Sequence, residues 1–539
     1  MASIANPLYF FSDSTTTSPS SSNVIRFIDV LDFFFIAHPD SGRKEGDEHK
    51  RVMYFHPKSE NIDRQTELTG FAEAVVNFTD NFLSHANRPP FHLSGTDEFE
   101  YRTVSTQKAE HIYIQIENNK FIMGVALSKQ LSFVSDYPLF QPALRNILCD
   151  AYKMFRMFFG TFESFKYKLT EDESKFKDRL DFFFSRYIPL LKVHKMPLLD
   201  HLGGVEFLRI SGPLYLNVVT LISELQEEFP LIEKIVFFYQ SKLLYYSLSR
   251  RDLPSLFHYL TQNLLPTVLA PELEPTTTKS TKGRYLRGPV NLTSDDPLLG
   301  DECLPIVHLH TSELGGSVDI GIGEEEEELL QKYQMMVYRC LNATICMFVR
   351  CIEHTEKQSR QSSVSSNEEK PAQTNGVQKR IVSRRMLKNI DSFLETELSI
   401  VANKIGDEIS SELEQTSMPT DFHYIYFNPA SLSMTSSLSS LANQSNVYQT
   451  VNSLPKIAMP PMDVNRLVCD TMSNFVSDSE EFGECFVKSD TDWWIVVKKV
   501  NSRLLVLLLP PSAHTSSLAD VQSKTQVIVQ SHFQAIFLS

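Results

Sequence analysis

The stretch from Ile25 to Leu83 constrains the fold more than any other. It reads as a strand, a charged loop, a second strand and a helix. The first strand runs from Arg26 to Ile36 and ends in Phe33-Phe34-Phe35-Ile36. The loop from Pro39 to Lys50 carries two glycines and mixed charge, which makes it solvated and turn-forming. The second strand, Arg51 to His56, stops at Pro57, which cannot donate to a ladder. A helix is predicted from Glu67 to Leu83. At 100° per residue, Leu68, Phe71, Ala72, Val75, Thr79 and Phe82 form one stripe. Ala74 and Phe78 widen it on one side, Val76 and Leu83 on the other. Thr69, Glu73, Asn77, Asp80 and Asn81 fill the polar remainder. A helix on one sheet needs an apolar stripe of about 100°, and this one spans roughly twice that. Either a second helix of the same chain covers the excess or another protein does.

The length of 539 residues allows two to four domains. An apolar content of 42% leaves room for unfolded segments. Thirty-eight Phe against 19 Gly suits several helix-on-sheet cores better than an all-β array. The net charge of −15 argues against wholesale nucleic-acid binding, which needs a basic footprint. The seven cysteines are odd in number and include no CxxC pair, which reads as reduced, buried thiols of a cytosolic protein. Residues 1–24 lack the basic start of a signal peptide and read as a disordered Ser/Thr-rich leader. No apolar run reaches the roughly 18 residues that span a bilayer, so any membrane contact is expected to be peripheral.

Taken in order, the chain divides into three units of similar kind. In the first, residues 25–195, residues 84–110 read as a polar loop. His111–Ile116 and Phe121–Leu127 form a hairpin, and helices follow near 139–159 and 172–191. The second, residues 203–352, has strands at 205–210, 232–239, 242–248 and 304–309. Its helices fall at 214–229, 252–265 and 325–352, the last holding Cys340, Cys346 and Cys351, and a basic loop spans 271–302. Residues 353–378 read as a disordered linker. The third, residues 379–539, opens with a helix over 380–414. Strands at 422–427 and 431–436, a helix at 464–476, a meander over 484–509 and a last helix at 516–537 complete it. The fold class is α+β, with short, mostly antiparallel sheets flanked by amphipathic helices.

Motifs for bond chemistry are missing from the sequence. There is no GxxxxGK[ST] loop, no HExxH, no GxSxG and no kinase signature. Gly321-Ile322-Gly323 lacks the third glycine of a dinucleotide loop. His308 and His310 share a strand face but have no third ligand at a matching spacing, which favours a half-exposed strand pair over a metal site. Glu324–Glu328 reads as the acidic first turn of a helix. Two basic segments stand against the overall charge. Lys279, Lys282, Arg284 and Arg287 lie in the loop with Tyr285 and Leu286. Lys379, Arg380, Arg384, Arg385 and Lys388 open the long helix, whose apolar face is Met386, Ile390, Phe393, Leu394 and Val401. The loop is the better candidate for anionic lipid, since no packing duty is expected of it. The residues alone describe a multidomain interaction protein that needs no metal or cofactor.

The opening unit also resembles a known family. Phe33-Phe34-Phe35-Ile36, Gly42-Arg43-Lys44-Glu45-Gly46, Val52-Met53-Tyr54-Phe55-His56-Pro57 and the run from Gly70 to Thr79 carry the likeness. Together they resemble the first domain of the vacuolar fusion proteins of the calcium–caffeine–zinc sensitivity family, the Ccz subunit of the Mon–Ccz complex. The match is dense over residues 30–83, with His38 standing where Asn is more usual. The resemblance implies three longin-type domains and a Mon-type partner of similar build. It implies that the pair is a guanine nucleotide exchange factor for the late-endosomal Rab-seven GTPase, acting in endosome and phagosome maturation, lysosome fusion and autophagy. It implies a cytosolic protein recruited peripherally to late endosomes, lysosomes and phagosomes, and paired first domains that form the GTPase platform. On this chain the expected platform residues are Phe71, Val75, Val76, Phe78 and Phe82, supported by Phe33, Tyr54 and His56. The competing class is a longin scaffold or adaptor without exchange activity.

Overall fold

The computed structural model describes residues 24–42, 44–80, 99–129, 141–164, 173–194, 202, 204–266, 282–286, 304–311, 330–351, 382–415, 421–438, 460–476, 482–512 and 517–533. Three antiparallel-rich sheets carry the architecture, with helices on both faces of each.

The first domain begins with β1 (Val24–Arg26), a single helical turn at Phe27–Val30, β2 (Leu31–Ala37) and β3 (Val52–His56). The turn divides the single strand expected over Arg26–Ile36, and β1 pairs with a later short strand, β7 (Lys192–His194). Helix α1 (Ile62–Asp80) follows, then β4 (Tyr101–Ser105), β5 (Ala109–Ile116) and β6 (Phe121–Ser128). The sheet order is β3-β2-β6-β5-β4. β4 falls in the stretch expected to be loop. Its exposed Tyr101, Thr103 and Ser105 give it the polar face of an edge strand. β2 and β3 are buried on both faces, so their residues sort by parity. Phe33, Phe35 and Phe55 lie beneath α1, while Phe34, Ile36 and Tyr54 face α2 (Gln141–Phe159) and α3 (Glu173–Tyr187).

Helix α2 is buried on almost every side because two domains use it. It packs on the first sheet through β5 and on the second through β12 (Ile306–His310), so both domains share one continuous core. The second domain starts at β8 (Val205–Glu206) and α4 (Gly212–Glu228), whose Pro213 sits at the first turn. β9 (Ile232–Tyr239), β10 (Lys242–Tyr246), the short α5 (Leu253–His258) and β11 (Arg284–Leu286) precede β12. β13 (Leu330–Cys340) and β14 (Ala343–Arg350) complete a sheet ordered β10-β9-β14-β13, with β11 and β12 sharing the outer edge of β13. This hairpin replaces the helix expected over 325–352. Over Tyr333–Tyr338 and Ala343–Val349 both strands are buried on both faces, so apolar side chains predominate on each face and hide the two-residue period. Cys340 and Cys346 consequently face opposite cores.

Helix α6 (Arg384–Gln415) also departs from its expected place. Ile390, Leu394, Leu398, Val401, Ala402 and Ile405 bury against the second sheet, alongside α4. The helix therefore belongs to the second domain, not to the unit beginning at 379. The third domain then holds β15 (His423–Asn428), β16 (Ser433–Ser436), α7 (Met462–Val476), β17 (Phe482–Lys488), β18 (Trp494–Val500), β19 (Arg503–Leu509) and α8 (Leu518–His532). α7 covers one face of this sheet and α8 the other.

β8 joins the domains. It pairs in parallel with β16 and becomes the last strand of the third sheet. The next residue, Phe207, bridges Leu243 at the edge of the second sheet, and the Leu208 N–H donates to the Leu243 carbonyl at 2.9 Å. Leu202 buries in the third core, Val205 in the shared core of the first two domains, and Leu208 and Ile210 lean on the second domain's other core. Gly204 is required there, since a Cβ would lie 2.5 Å from the Met434 Cβ.

Candidate interaction surface

Helix α1 begins five residues earlier than the periodicity predicts. Asn61 opens it, accepting the Asp63 N–H on Oδ1 at 3.1 Å. The packed face is Thr69, Ala72 and Val76, with Leu68 and Val75 half-buried beside them. The sheet below offers small or flat groups: Ala109, Ala126, Gly124 and the rings of Phe35 and Tyr113. The close fit places a Cβ on Gly124 only 2.3 Å from Phe35 Cε1.

That packing settles how α1 is rotated. Phe71, Ala74 and Phe78 point away from the sheet, with Phe71 45% and Phe78 65% exposed. Arg51 reaches across from the end of β3's loop to Glu73 at 2.9 Å, and Arg102 of β4 donates to Thr79 at 2.7 Å. These polar contacts fix both flanks of the helix. Phe71 also meets the sheet at one side. Its ring stands edge-on to His111 of β5, with 6.3 Å between centroids. Burial holds the His111 imidazole below its ordinary pKa, against the opposing pull of Asp32 and Glu110.

The eight expected platform residues do not form one surface. Phe71 and Phe78 are on the outer face and Val75 is at its border. Val76, 2% exposed, belongs to the core under α1, as does Phe33. Tyr54 and His56 lie on the opposite face of the sheet, toward α3. Burial and the nearby Asp181 push the Tyr54 phenol up, while burial and Lys58 hold His56 down. Neither can touch a partner seated on α1. Phe82 lies outside the described residues.

Of the basic loop, Lys282 is exposed and Arg284 is half-buried, while Lys279 and Arg287 lie outside the described residues. Arg284–Leu286 form β11, so this stretch does have a packing duty, contrary to expectation. Tyr285 Oη donates to the Leu387 carbonyl at 2.7 Å, which sets β11 against the first turns of α6. That contact brings β11 to the first turns of α6, which carry the exposed Arg384, Arg385 and Lys388, while Arg284 shares the strand parity of Leu286, which enters the core on the other face of the sheet.

The histidine pair has a structural explanation. His310 is buried with Asp252, Nδ1 to Oδ1 at 2.6 Å, and its backbone N–H donates to Oδ2 at 2.8 Å. Lys234 Nζ donates to the His310 carbonyl at 2.9 Å. Among the described residues no cluster of three or more His, Cys, Asp or Glu could hold a metal ion. The acidic run Glu324–Glu328 lies outside them. No described helix is long and apolar enough to cross a membrane.

Comparison with known proteins agrees with the three-domain build. A family model described as the first longin domain of INTU, CCZ1 and HPS4 matches residues 31–160. Models of the second and third INTU longin-like domains match residues 232–369 and 418–528. The "Vacuolar fusion protein CCZ1 homolog" of Xenopus laevis is 24% identical over 532 residues, covering 95% of this chain and 98% of the relative. That of Nematostella vectensis is 25% identical over 522 residues, covering 94% and 97%. A three-longin α+β protein similar along nearly its whole length to such relatives belongs to the CCZ1 family of vacuolar fusion proteins.

Proposed function

We propose that this chain is one subunit of a heterodimeric guanine nucleotide exchange factor. It pairs through the outer face of α1 with a Mon-type three-longin subunit, and the pair opens the Rab-seven GTPase. The setting is vesicle traffic to the late endosome and lysosome, including fusion, phagosome maturation and autophagy. The observation that carries the reading is the exposed Phe71–Ala74–Phe78 stripe on a helix whose opposite face is already packed on its own sheet. Aromatic side chains supply large contact area and dominate interface energetics.

Exchange of this kind requires no acid, base, nucleophile or cofactor. The factor binds the nucleotide-free GTPase better than the loaded one, at the expense of switch-loop and Mg²⁺ contacts. Each 1.4 kcal/mol of differential binding shifts nucleotide affinity about tenfold. Shape and apolar surface deliver that difference. The exposed cations Lys282, Arg384, Arg385 and Lys388 fit a peripheral contact with anionic endosomal membrane, which would bring a cytosolic protein to its organelle.

The test is release of labelled GDP from Rab-seven and other Rab proteins by the chain co-purified with a Mon-type subunit. Acceleration on Rab-seven supports the proposal. Stable pairing without acceleration on any Rab leaves a longin scaffold, and lack of pairing defeats both readings.

A further inference from the structure

His111 is the polar side chain beneath the outer stripe of α1. It stands on β5 with Phe33 on one side, at 5.7 Å between centroids, and Phe71 above, at 6.3 Å. Tyr113 Oη lies 3.3 Å from its Nδ1, and the two rings are 6.2 Å apart. Three aromatic rings thus enclose the imidazole. Phe71 is the one ring of the three that is exposed.

We propose that His111 is a positioning residue: the neutral imidazole is the seat that sets how Phe71 is presented to the partner subunit. This rests on the pairing reading above and adds a condition to it. An apolar partner lying on Phe71 removes the water still reaching His111, and desolvation disfavours the charged ring. The paired state therefore binds fewer protons at His111 than the free chain. By linkage, affinity is full while the imidazole is neutral and falls as the pH drops below its free-chain value, itself below 6.5. The charged groups around the ring are Asp32 of β2, Glu110 of β5 and Lys129 just after β6. The two carboxylates favour protonation, and Lys129 and burial oppose it. Lys129 is tied to Glu110 at 2.8 Å, which reduces the pull of that carboxylate. One proton limits the effect to about tenfold in affinity per pH unit.

The experiment has two arms on the full-length chain. In the first, fluorine-labelled phenylalanine at position 71 is followed by NMR from pH 7.5 to 5.0 without any partner. The resonance moves with a single titration in the wild type and stays flat in His111→Gln. In the second, affinity for the Mon-type subunit is measured over the same range. Wild-type affinity falls toward acid pH, while His111→Gln and His111→Phe remove the His111 share of that slope. His111→Phe, which keeps an aromatic seat, holds most of the neutral-pH affinity that His111→Ala loses. A Phe71 resonance indifferent to pH or to His111→Gln overturns the seat. A pH slope shared by wild type and both His111→Gln and His111→Phe overturns the linkage. Failure to pair at pH 7.5 defeats the pairing reading instead, and the resonance still decides whether His111 seats Phe71.

Discussion

Replacing Phe78 by Asp separates an outer face from a core. A phenylalanine side chain buries about 150–250 Å² when fully enclosed. Phe78 is 65% exposed, so only about a third of that area, ~70 Å², is shielded by the chain itself. At ~25 cal/mol per Å² its loss costs the isolated chain about 2 kcal/mol. Val76 is 2% exposed on the other side of the same helix. Val76→Asp would bury a carboxylate in the apolar core beneath α1, and the expected cost exceeds about 4 kcal/mol. Pairing reverses the ranking. A partner covering the remaining ~130 Å² of Phe78 gains about 3 kcal/mol from it, and a desolvated aspartate forfeits more. Affinity for the Mon-type subunit should therefore fall more than 100-fold in Phe78→Asp. Denaturant melts of the isolated chain and calorimetric titration with the partner give both quantities. The reasoning fails if Phe78→Asp destabilises the chain as much as Val76→Asp does. It fails equally if Phe78→Asp pairs with wild-type affinity.

Two further outcomes are expected. Neutralising Lys282, Arg385 and Lys388 should weaken flotation with anionic vesicles by about 1 kcal/mol per cation removed and leave binding to neutral vesicles unchanged; equal flotation of variant and wild type would remove the membrane role. Gly124→Ala should destabilise the first domain by about 1–3 kcal/mol, because Phe35 and Tyr113 must shift to admit the methyl group; an unchanged melting profile would show that the two rings can yield.

Much of the first domain was legible because its signals are local. The Phe33–Ile36 run, the charged loop and Pro57 mark two strands, and the excess apolar width of α1 is a property of its sequence. The start of α1 was not read: the apolar period placed it at Glu67, and the structure shows Asn61 opening the helix. Which side of α1 packs inward was not legible. Phe71 and Val76 are equally apolar, and only the small residues of β5 and β6 beneath the helix decide between them. Tyr54 and His56 were misplaced for a related reason, since strand parity assigns faces only once the sheet's neighbours are known. Polar β4 gave no apolar alternation, and β13 with β14 gave too much apolar content. The allegiance of α6 is a matter of connectivity. It follows the second sheet in sequence and returns to cover it, a long-range fact no window of residues contains.

The strap from Leu202 to Ile210 has a practical consequence for anyone dissecting this chain. It looks like the seam between the first two domains, yet its side chains plug three different interiors and its backbone finishes the edges of two sheets. A cut near residue 203 leaves a hole in the N-terminal piece where Val205 stood, and a third domain started near residue 421 lacks β8, the last strand of its sheet. The three longin units are thus repeats in shape but not in independence, and truncation phenotypes will report a torn assembly rather than a missing module.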